Sequence, residues 1–195
     1  MSKTYTELTR NSSHHPFVEL ALQYLNDLPL TALDCGAGAG NASAFLLTKG
    51  FQVFAFDLSD ESKEICINRF SDNVNFKFAQ NSYESYTYPQ ISLVIATLSL
   101  FFTPLNSFKE VWQNILQALP HKGIFVVDLL GEQDAWVKHN PLQFKGYNQL
   151  TLTQLIAPHY EILQHEELCG EYPLASGALK FWHIHRLILC KTSFK

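Results

Sequence analysis

Residues 32–41 read ALDCGAGAGN, and residues 51–59 read FQVFAFDLS. The first stretch predicts a buried strand that ends in a glycine-rich turn, and the second predicts a strand that ends in an acid, Asp57. Glycine allows a sharp turn and a close approach to a ligand, because it has no Cβ. A helix after such a turn directs its unpaired N–H groups to the same space. This order of elements predicts a site for an adenosine-containing ligand.

The spacing of the glycines distinguishes between two classes of cofactor. An acid and three glycines follow the pattern D-x-G-x-G-x-G, at Asp34, Gly36, Gly38 and Gly40. A dinucleotide site favours G-x-G-x-x-G. Counted from the first or second glycine, that pattern expects glycine or alanine where this chain has Asn41 or Ser43. The spacing therefore disfavours a nicotinamide dinucleotide.

The two acids around the turn have different expected roles. Asp57 follows the glycines by about 20 residues, where a carboxylate accepts hydrogen bonds from both hydroxyls of a ribose. Asp34 precedes the first glycine by two residues and could attract an ammonium group, although we expect it mainly to shape the turn.

Composition indicates one globular domain without a membrane span. The 195 residues are 47% hydrophobic and 16% charged, with a net charge of -4, which disfavours non-specific binding of nucleic acid. The longest apolar run, residues 91–102, is too short to cross a bilayer. The four cysteines show no C-x-x-C pairing and no signal peptide is apparent, so we expect reduced thiols and a cytoplasmic protein. Residues 1–13 are polar and predict a flexible arm before a domain over 14–195.

Strands and helices alternate through most of the chain. The spacing predicts a helix from His15 to Leu28, and five strands at 31–35, 52–58, 75–80, 92–98 and 123–130. Further helices are expected over 41–49, 59–70 and 106–119. This rhythm predicts a parallel sheet with helices on both faces, an α/β fold of the doubly wound, Rossmann-like type.

The last third of the chain has a different pattern. Residues 150–159 read as a helix, and residues 160–168 and 179–189 read as two β segments joined only by a Gly/Pro/Ser-containing loop. Strands joined in this way are antiparallel neighbours. We therefore expect the mostly parallel sheet to end with an antiparallel strand.

From about His15 to Lys191 the chain resembles class I S-adenosylmethionine-dependent methyltransferases, of the small bacterial-type group related to tellurite-resistance methyltransferases. The resemblance rests on the glycine motif and on the strings SLFFTPLNSFKEVWQNILQALPHKG, GEQDAW and KFWHIHRLI, at 99–123, 131–136 and 180–188. It implies the class I fold, S-adenosylmethionine as cofactor, and methyl transfer to a small acceptor such as a thiol or a chalcogen oxyanion. It does not identify the acceptor or the oligomeric state.

The resemblance also implies a set of cofactor contacts. In that family the glycine turn, here including Ala37, holds the methionine part of the cofactor. Ligands of open α/β sheets lie beyond the carboxyl ends of the parallel strands, so Leu58 is expected either against the adenine or in ordinary core packing, and Thr97 belongs to the same rim. The end of the third strand commonly carries an acid for the adenine amino group, and here it carries Gln80 and Asn81, whose amide oxygens can accept the same hydrogen bond. Arg10 in the arm could pair with the methionine carboxylate.

Two segments beyond the glycine turn carry candidates for the acceptor site. They follow the fifth strand and begin the last one, and their members are Glu132, Asp134, Trp136, Lys180 and Trp182. The alternative for the first segment is an acidic solvated loop anchored by its tryptophan.

His183 and His185 lie two residues apart in the last strand and therefore share a face. Three interpretations stay open: a buried hydrogen-bonded pair, a general base or substrate-orienting histidine, and a metal site. No third ligand stands at a convincing spacing in the sequence, so no metal is predicted.

Three hypotheses for function remain at this point. The first is a small-molecule methyltransferase, and the second is a non-catalytic module that binds the nucleoside and acts through partners. The third, a nicotinamide-dependent reductase, is disfavoured by the residue at position 41 and by the final strand pair.

Overall fold

The structure, a computed structural model, describes residues 4–192. Within this range seven strands form one sheet, and seven α-helices connect or cover them. The strands are β1 (Thr31–Cys35), β2 (Gln52–Asp57), β3 (Phe76–Gln80), β4 (Leu93–Ala96), β5 (Ile124–Leu130), β6 (Tyr160–Pro173) and β7 (Leu179–Lys191). The helices are α1 (Tyr5–Thr9), α2 (Pro16–Ala21), α3 (Asn41–Thr48), α4 (Asp60–Phe70), α5 (Phe108–Ala118), α6 (Ala135–His139) and α7 (Gln149–Ile156). Short 3-10 turns cover Leu22–Tyr24 and Leu100–Phe102.

The sheet has the strand order β3-β2-β1-β4-β5-β7-β6. Strands β1 to β5 are parallel, whereas β7 runs antiparallel to β5 and to β6. The predicted α/β fold with an antiparallel last strand is therefore confirmed. Because β1 and β4 are neighbours although β2 and β3 follow β1 in the chain, the order reverses at β1. Ligands of open α/β sheets bind beyond the carboxyl ends of the strands at such a point.

Two apolar clusters cover the two faces of the sheet. One packs α2 and α3 against β1, β2 and β5, and the other packs α5 and α7 against the opposite face. All seven residues of β5 are buried, which explains why its sequence is an almost unbroken apolar run. The exception is Asp128, a buried acid in the middle of that strand.

The structure differs from the sequence prediction at the N-terminal end. The predicted helix from His15 to Leu28 is only α2 followed by the 3-10 turn, because the chain reverses at Asn26 with φ 41° to reach β1. The predicted flexible arm contains α1, which begins with a capping box between Thr4 and Glu7. Its flexibility stays a prediction.

Strands β6 and β7 form a long hairpin whose tip lies beyond Pro173. A bulge between Ile162 and Gln164 shifts the register of β6, and from Gln164 onward each residue pairs regularly with β7. Within residues 4–192 the helices are all too short or too polar to cross a membrane.

Candidate functional site

The turn after β1 can form only with glycines. Gly36 and Gly40 both have left-handed backbone angles, φ 64° and 73°, which side chains rarely adopt. A Cβ at Gly36 would lie 2.7 Å from the Cβ of Ser99, and a Cβ at Gly40 would lie 2.8 Å from the ring of Phe70. The glycines therefore permit both the path of the turn and its close packing.

Asp34 stabilises the helix that follows the turn. The residue that precedes α3 is Gly40, which has no side chain to cap the helix. The buried Asp34 carboxylate performs that role, because its Oδ2 accepts hydrogen bonds from Ser43 N at 3.0 Å and from Ser43 Oγ at 2.6 Å. Burial raises the pKa of Asp34 to about 6, although the Ser43 hydrogen bonds act in the opposite direction.

Asp57 holds the turn from the neighbouring strand. Its Oδ2 accepts from Gly38 N at 2.8 Å, and its Oδ1 accepts from Ser59 N at 2.9 Å. A carboxylate offers about four acceptor positions, so each oxygen retains one for a ligand hydroxyl. This arrangement fits the predicted ribose contact.

The predicted adenine side lies at the ends of β2 and β3. Leu58 is 70% exposed, which is unusual for a leucine beside a strand and leaves its side chain free to cover a flat ring. Gln80 is engaged locally, since its Nε2 donates to Asp60 Oδ1 at 2.6 Å and its Oε1 accepts from Lys63 Nζ at 3.2 Å. Asn81 donates its Nδ2 to Ser85 and keeps its Oδ1 as an acceptor, so it is the better placed of the two amides.

A cavity of about 830 Å³ begins at the glycine turn. Such a volume lies within the range of small-molecule sites, about 300–1,000 Å³. Five of the predicted cofactor residues line it, namely Asp34, Gly36, Ala37, Gly38 and Thr97. The other five, Gly40, Asp57, Leu58, Gln80 and Asn81, lie outside its lining. The cavity therefore covers the methionine side of the predicted cofactor site and the space beyond it.

The far end of the cavity is aromatic. Phe101, Phe102, Trp136 and Trp182 line it, and the rings of Trp136 and Trp182 lie 5.3 Å apart between centroids. Leu98 also lines this end and has φ 53°, a strained conformation for a leucine. Its N–H donates to Asp128 Oδ2 at 3.0 Å, which holds the strained turn after β4 in place.

The buried pair of Asp134 and Lys180 supports this aromatic wall. Lys180 Nζ lies 2.7 Å and 2.6 Å from the two Asp134 oxygens. The same ammonium lies 3.5 Å from the Trp182 ring centroid and 4.3 Å from that of Trp136. Asp134 also accepts from the backbone N–H groups of Trp136 and His183. Of the predicted acceptor residues, the two tryptophans line the cavity, whereas Asp134 and Lys180 lie behind them and position them.

The remaining predicted residues, Glu132, His183 and His185, do not line the cavity. Glu132 accepts a hydrogen bond from Asn148 Nδ2 at 2.8 Å, at the start of α7. His183 and His185 are buried and lie outside the cavity lining, and both nitrogens of each ring have partners. The structure thus favours the buried hydrogen-bonded pair over a general base.

The N-terminal segment forms a wall of the cavity with residues other than the predicted Arg10. Tyr5, Leu8 and Thr9 line the cavity, and a Cβ at Gly38 would lie 3.9 Å from the Tyr5 ring. Asn41 Nδ2 donates to Thr9 O at 2.9 Å and fastens α1 to the glycine turn. Arg10 is exposed and outside the lining, so its pairing with a methionine carboxylate stays a hypothesis.

Solved structures with similar folds include enzymes with several chemistries. TehB from Haemophilus influenzae superposes with a TM-score of 0.76 at 17% identity, over 97% of this chain and 66% of that chain. The 1,6-didemethyltoxoflavin-N1-methyltransferase of Burkholderia thailandensis, crystallised with its substrate and S-adenosylhomocysteine, gives 0.70 at 18% identity, over 92% and 78% of the two chains. The [4+2]-cyclase SpnF gives 0.65 at 17% identity, over 90% and 80%. At these identities the likeness establishes the fold.

The sequence itself also matches a known family. Among curated proteins none matches at a significant level. Residues 32–123, from β1 to the start of β5, match the family described as "Methyltransferase domain", and this range contains the glycine turn and Asp57. Over this part of the chain the sequence is therefore similar to a methyltransferase domain, and the strand order with the antiparallel β7 gives the described residues the class I methyltransferase fold.

Proposed function

We propose that the protein transfers a methyl group from S-adenosylmethionine to a small acceptor: a thiol, a chalcogen oxyanion or another small nucleophile. The observation that carries the proposal is the cavity, which joins the glycine turn to an aromatic wall within one space of about 830 Å³. Such a space suits a small molecule next to the methionine end of the cofactor. The 1,6-didemethyltoxoflavin-N1-methyltransferase, which was crystallised with a small molecule and S-adenosylhomocysteine, supports a small acceptor by likeness of fold.

The cofactor residues fit S-adenosylmethionine in three ways. The first turn of α3 supplies backbone N–H groups beside the glycine turn, where Asn41 and Ala42 line the cavity. Asp57 retains acceptor positions for two hydroxyls, and the exposed Leu58 can cover the adenine. When bound, the cofactor supplies a methyl group that its sulfonium already activates.

The lining of the aromatic end favours an acceptor that needs no strong base. The described residues there, Leu98, Phe101, Phe102, Trp136 and Trp182, carry no acid or base. A thiolate or a chalcogen oxyanion attacks without prior removal of a proton, whereas an alcohol would require a base. These residues would then act by excluding water and holding the acceptor in line, and such alignment is worth roughly 7–11 kcal/mol at best.

His15 is a titratable residue of the cavity lining. Burial lowers its pKa to about 4, so the ring is neutral near pH 7. Its Nδ1 accepts from Phe17 N at 3.2 Å, which leaves the hydrogen on Nε2. We therefore assign it a hydrogen-bonding role and not that of a general base.

The alternative is a module that binds the nucleoside without transferring a methyl group. SpnF, a [4+2]-cyclase of similar fold, shows that this fold hosts other chemistry than methylation. The intact glycine turn and Asp57 support cofactor binding under both proposals, so only turnover separates them.

Two further parts of the proposal concern the location of the protein in the cell and the type of its partner. All four cysteines are free thiols, which supports a reducing, cytoplasmic location. The net charge of -4 supports a partner other than nucleic acid.

The test has a binding part and a turnover part. Calorimetry with S-adenosylmethionine and S-adenosylhomocysteine should give saturable binding of both. Release of S-adenosylhomocysteine is then followed with a panel of small thiols, selenite, tellurite, phenols and amines. Turnover with any member of the panel supports methyl transfer to a small acceptor, and turnover only with amines or phenols overturns the inference that the acceptor needs no base. Binding without turnover across the panel supports the alternative.

A further inference from the structure

A cluster of polar side chains lies on the β6–β7 hairpin, apart from the cavity. It consists of His165 and Glu167 on β6 and of His183 and His185 on β7. One ligand atom from each of Glu167, His183 and His185 lies within 4.8 Å of the other two. His165 Nε2 lies 3.1 Å from His185 Nδ1. We refer to these four residues as the hairpin cluster.

The surroundings of His185 fix which of its nitrogens has a free electron pair. Its Nε2 lies 3.1 Å from Tyr147 O. A carbonyl oxygen only accepts, so Nε2 carries the hydrogen and Nδ1 keeps its electron pair. That electron pair faces the Nε2 of His165 on the neighbouring strand.

His183 has the same tautomer as His185, but its N–H is directed at Glu167. Its Nδ1 accepts from Gln133 N at 3.0 Å, so its hydrogen is on Nε2. This Nε2 lies 2.7 Å from Glu167 Oε1 and donates to it. His183 is therefore no direct ligand for a cation, but it holds one carboxylate oxygen of Glu167 and leaves Oε2 available.

We propose that His165 Nε2 and His185 Nδ1 bind a divalent transition-metal ion of the zinc type. The exposed Glu167 carboxylate, which lies within 4.8 Å of a ligand atom of His185, would be the third ligand. Imidazole nitrogens and one carboxylate suit zinc, with metal–nitrogen bonds of roughly 2.0–2.1 Å. Two nitrogens at tetrahedral positions around such an ion are roughly 3.3–3.4 Å apart, close to the 3.1 Å between His165 and His185. The exposed His165 can move its hydrogen from Nε2 to Nδ1 when the ion binds.

The groups behind the ligands match those of protein metal sites. A metal-binding histidine usually donates its other N–H to a carbonyl or carboxylate, and a binding carboxylate usually accepts a hydrogen bond. Tyr147 O provides the first for His185, and His183 Nε2 provides the second for Glu167. These two hydrogen bonds orient the ligands before any ion is present.

The proposal differs from the sequence prediction of no metal, and the pairing of the strands explains why. The register places Glu167 directly opposite His185, and the hydrogen bond joins His165 to His185 across 20 residues of sequence. Ligands brought together in this way have no recognisable spacing. A bound ion would tie β6 to β7 in the hairpin whose tip residues, Pro173 to Ser176, line the cavity.

The test uses the untagged full chain and zinc alone as the probe. Calorimetry should show one saturable zinc site and no comparable magnesium site, because magnesium prefers oxygen ligands. Cobalt in place of zinc should give the visible absorption of a four-coordinate site. The variants His165→Ala and Glu167→Gln, both at exposed positions, should each bind zinc at least about tenfold more weakly.

Two control variants separate the site from general surface binding. Glu166→Gln changes the adjacent acid, which pairs with Arg186, and His139→Ala removes a histidine on α6. Both should bind zinc as the wild type does. No saturable zinc binding by the wild type, or equal affinity in His165→Ala and Glu167→Gln, would overturn the proposal. Neither result affects the proposed methyl transfer, which is measured separately.

Discussion

Replacing Asp57 by asparagine tests the cofactor site at the residue that joins it to the glycine turn. The carboxylate accepts from Gly38 N through Oδ2 and from Ser59 N through Oδ1. Asparagine has nearly the same shape but a single acceptor oxygen. Its NH₂ group must therefore face one of these two backbone donors, and it can accept nothing from a ribose hydroxyl.

The expected loss of affinity follows from the hydrogen bonds that change. A hydrogen bond to a charged group contributes about 1.5–3 kcal/mol. The variant loses one such bond to a ribose hydroxyl outright and weakens the second by removing the charge. We expect a loss of about 2–4 kcal/mol in binding, which is roughly 30- to 700-fold in Kd at 1.4 kcal/mol per tenfold.

Calorimetry with S-adenosylhomocysteine measures this change directly. Glu64→Gln is the matched control, because Glu64 is an exposed acid on α4 and its loss should leave the Kd unchanged. Thermal unfolding of both variants without ligand measures any loosening of the turn separately. An Asp57→Asn Kd within threefold of the wild type would refute the assignment of Asp57 to the ribose.

Three further substitutions test the supports of the site. Lys180→Met leaves the buried Asp134 charge without its ion-pair partner and should cost about 3 kcal/mol of unfolding free energy in urea; a loss below about 1 kcal/mol would contradict this. Gly36→Ala combines a left-handed backbone with a contact of 2.7 Å to Ser99, so we expect a loss of roughly 2–4 kcal/mol in the same assay, and wild-type stability would disprove it. Burial raises the pKa of Asp128 from 3.8 to about 7, so its contribution to stability is present below the unfolded value and is lost as the pH rises through 7. Asp128→Asn should therefore gain stability relative to the wild type between about pH 5 and about pH 8, and an equal difference at both pH values would contradict the buried acid's role.

The fold was predictable because its signals are local. Buried strands such as β5 read as apolar runs, and the glycine turn is visible in the spacing of Gly36 and Gly40, both of which need left-handed angles. The antiparallel β7 followed from the short connection to β6. The length of α2 was not predictable, because the end of this helix depends on the chain reversal at Asn26.

The sequence indicates which segments meet at the candidate site, but not how side chains of distant segments pair within it. The contacts of Asp34 and Asp57 lie within one strand-turn-helix unit and the neighbouring strand. Lys180 was expected near the acceptor, but its pairing with Asp134 depends on two segments 46 residues apart. The packing of Gly131 against His183 was not predictable for the same reason, although a Cβ at Gly131 would lie only 2.3 Å from the His183 ring. Contacts between distant segments leave no spacing in the sequence.

The positions of the tryptophans give the protein an optical reporter of its own. The chain has three, and two of them, Trp136 and Trp182, form part of the cavity wall. The third, Trp112, is buried in the core against Phe125 and Tyr160. A molecule that fills the aromatic end changes the surroundings of the first two indoles and leaves the third untouched. Emission from the unlabelled chain can therefore be used to titrate acceptors before any product is assayed.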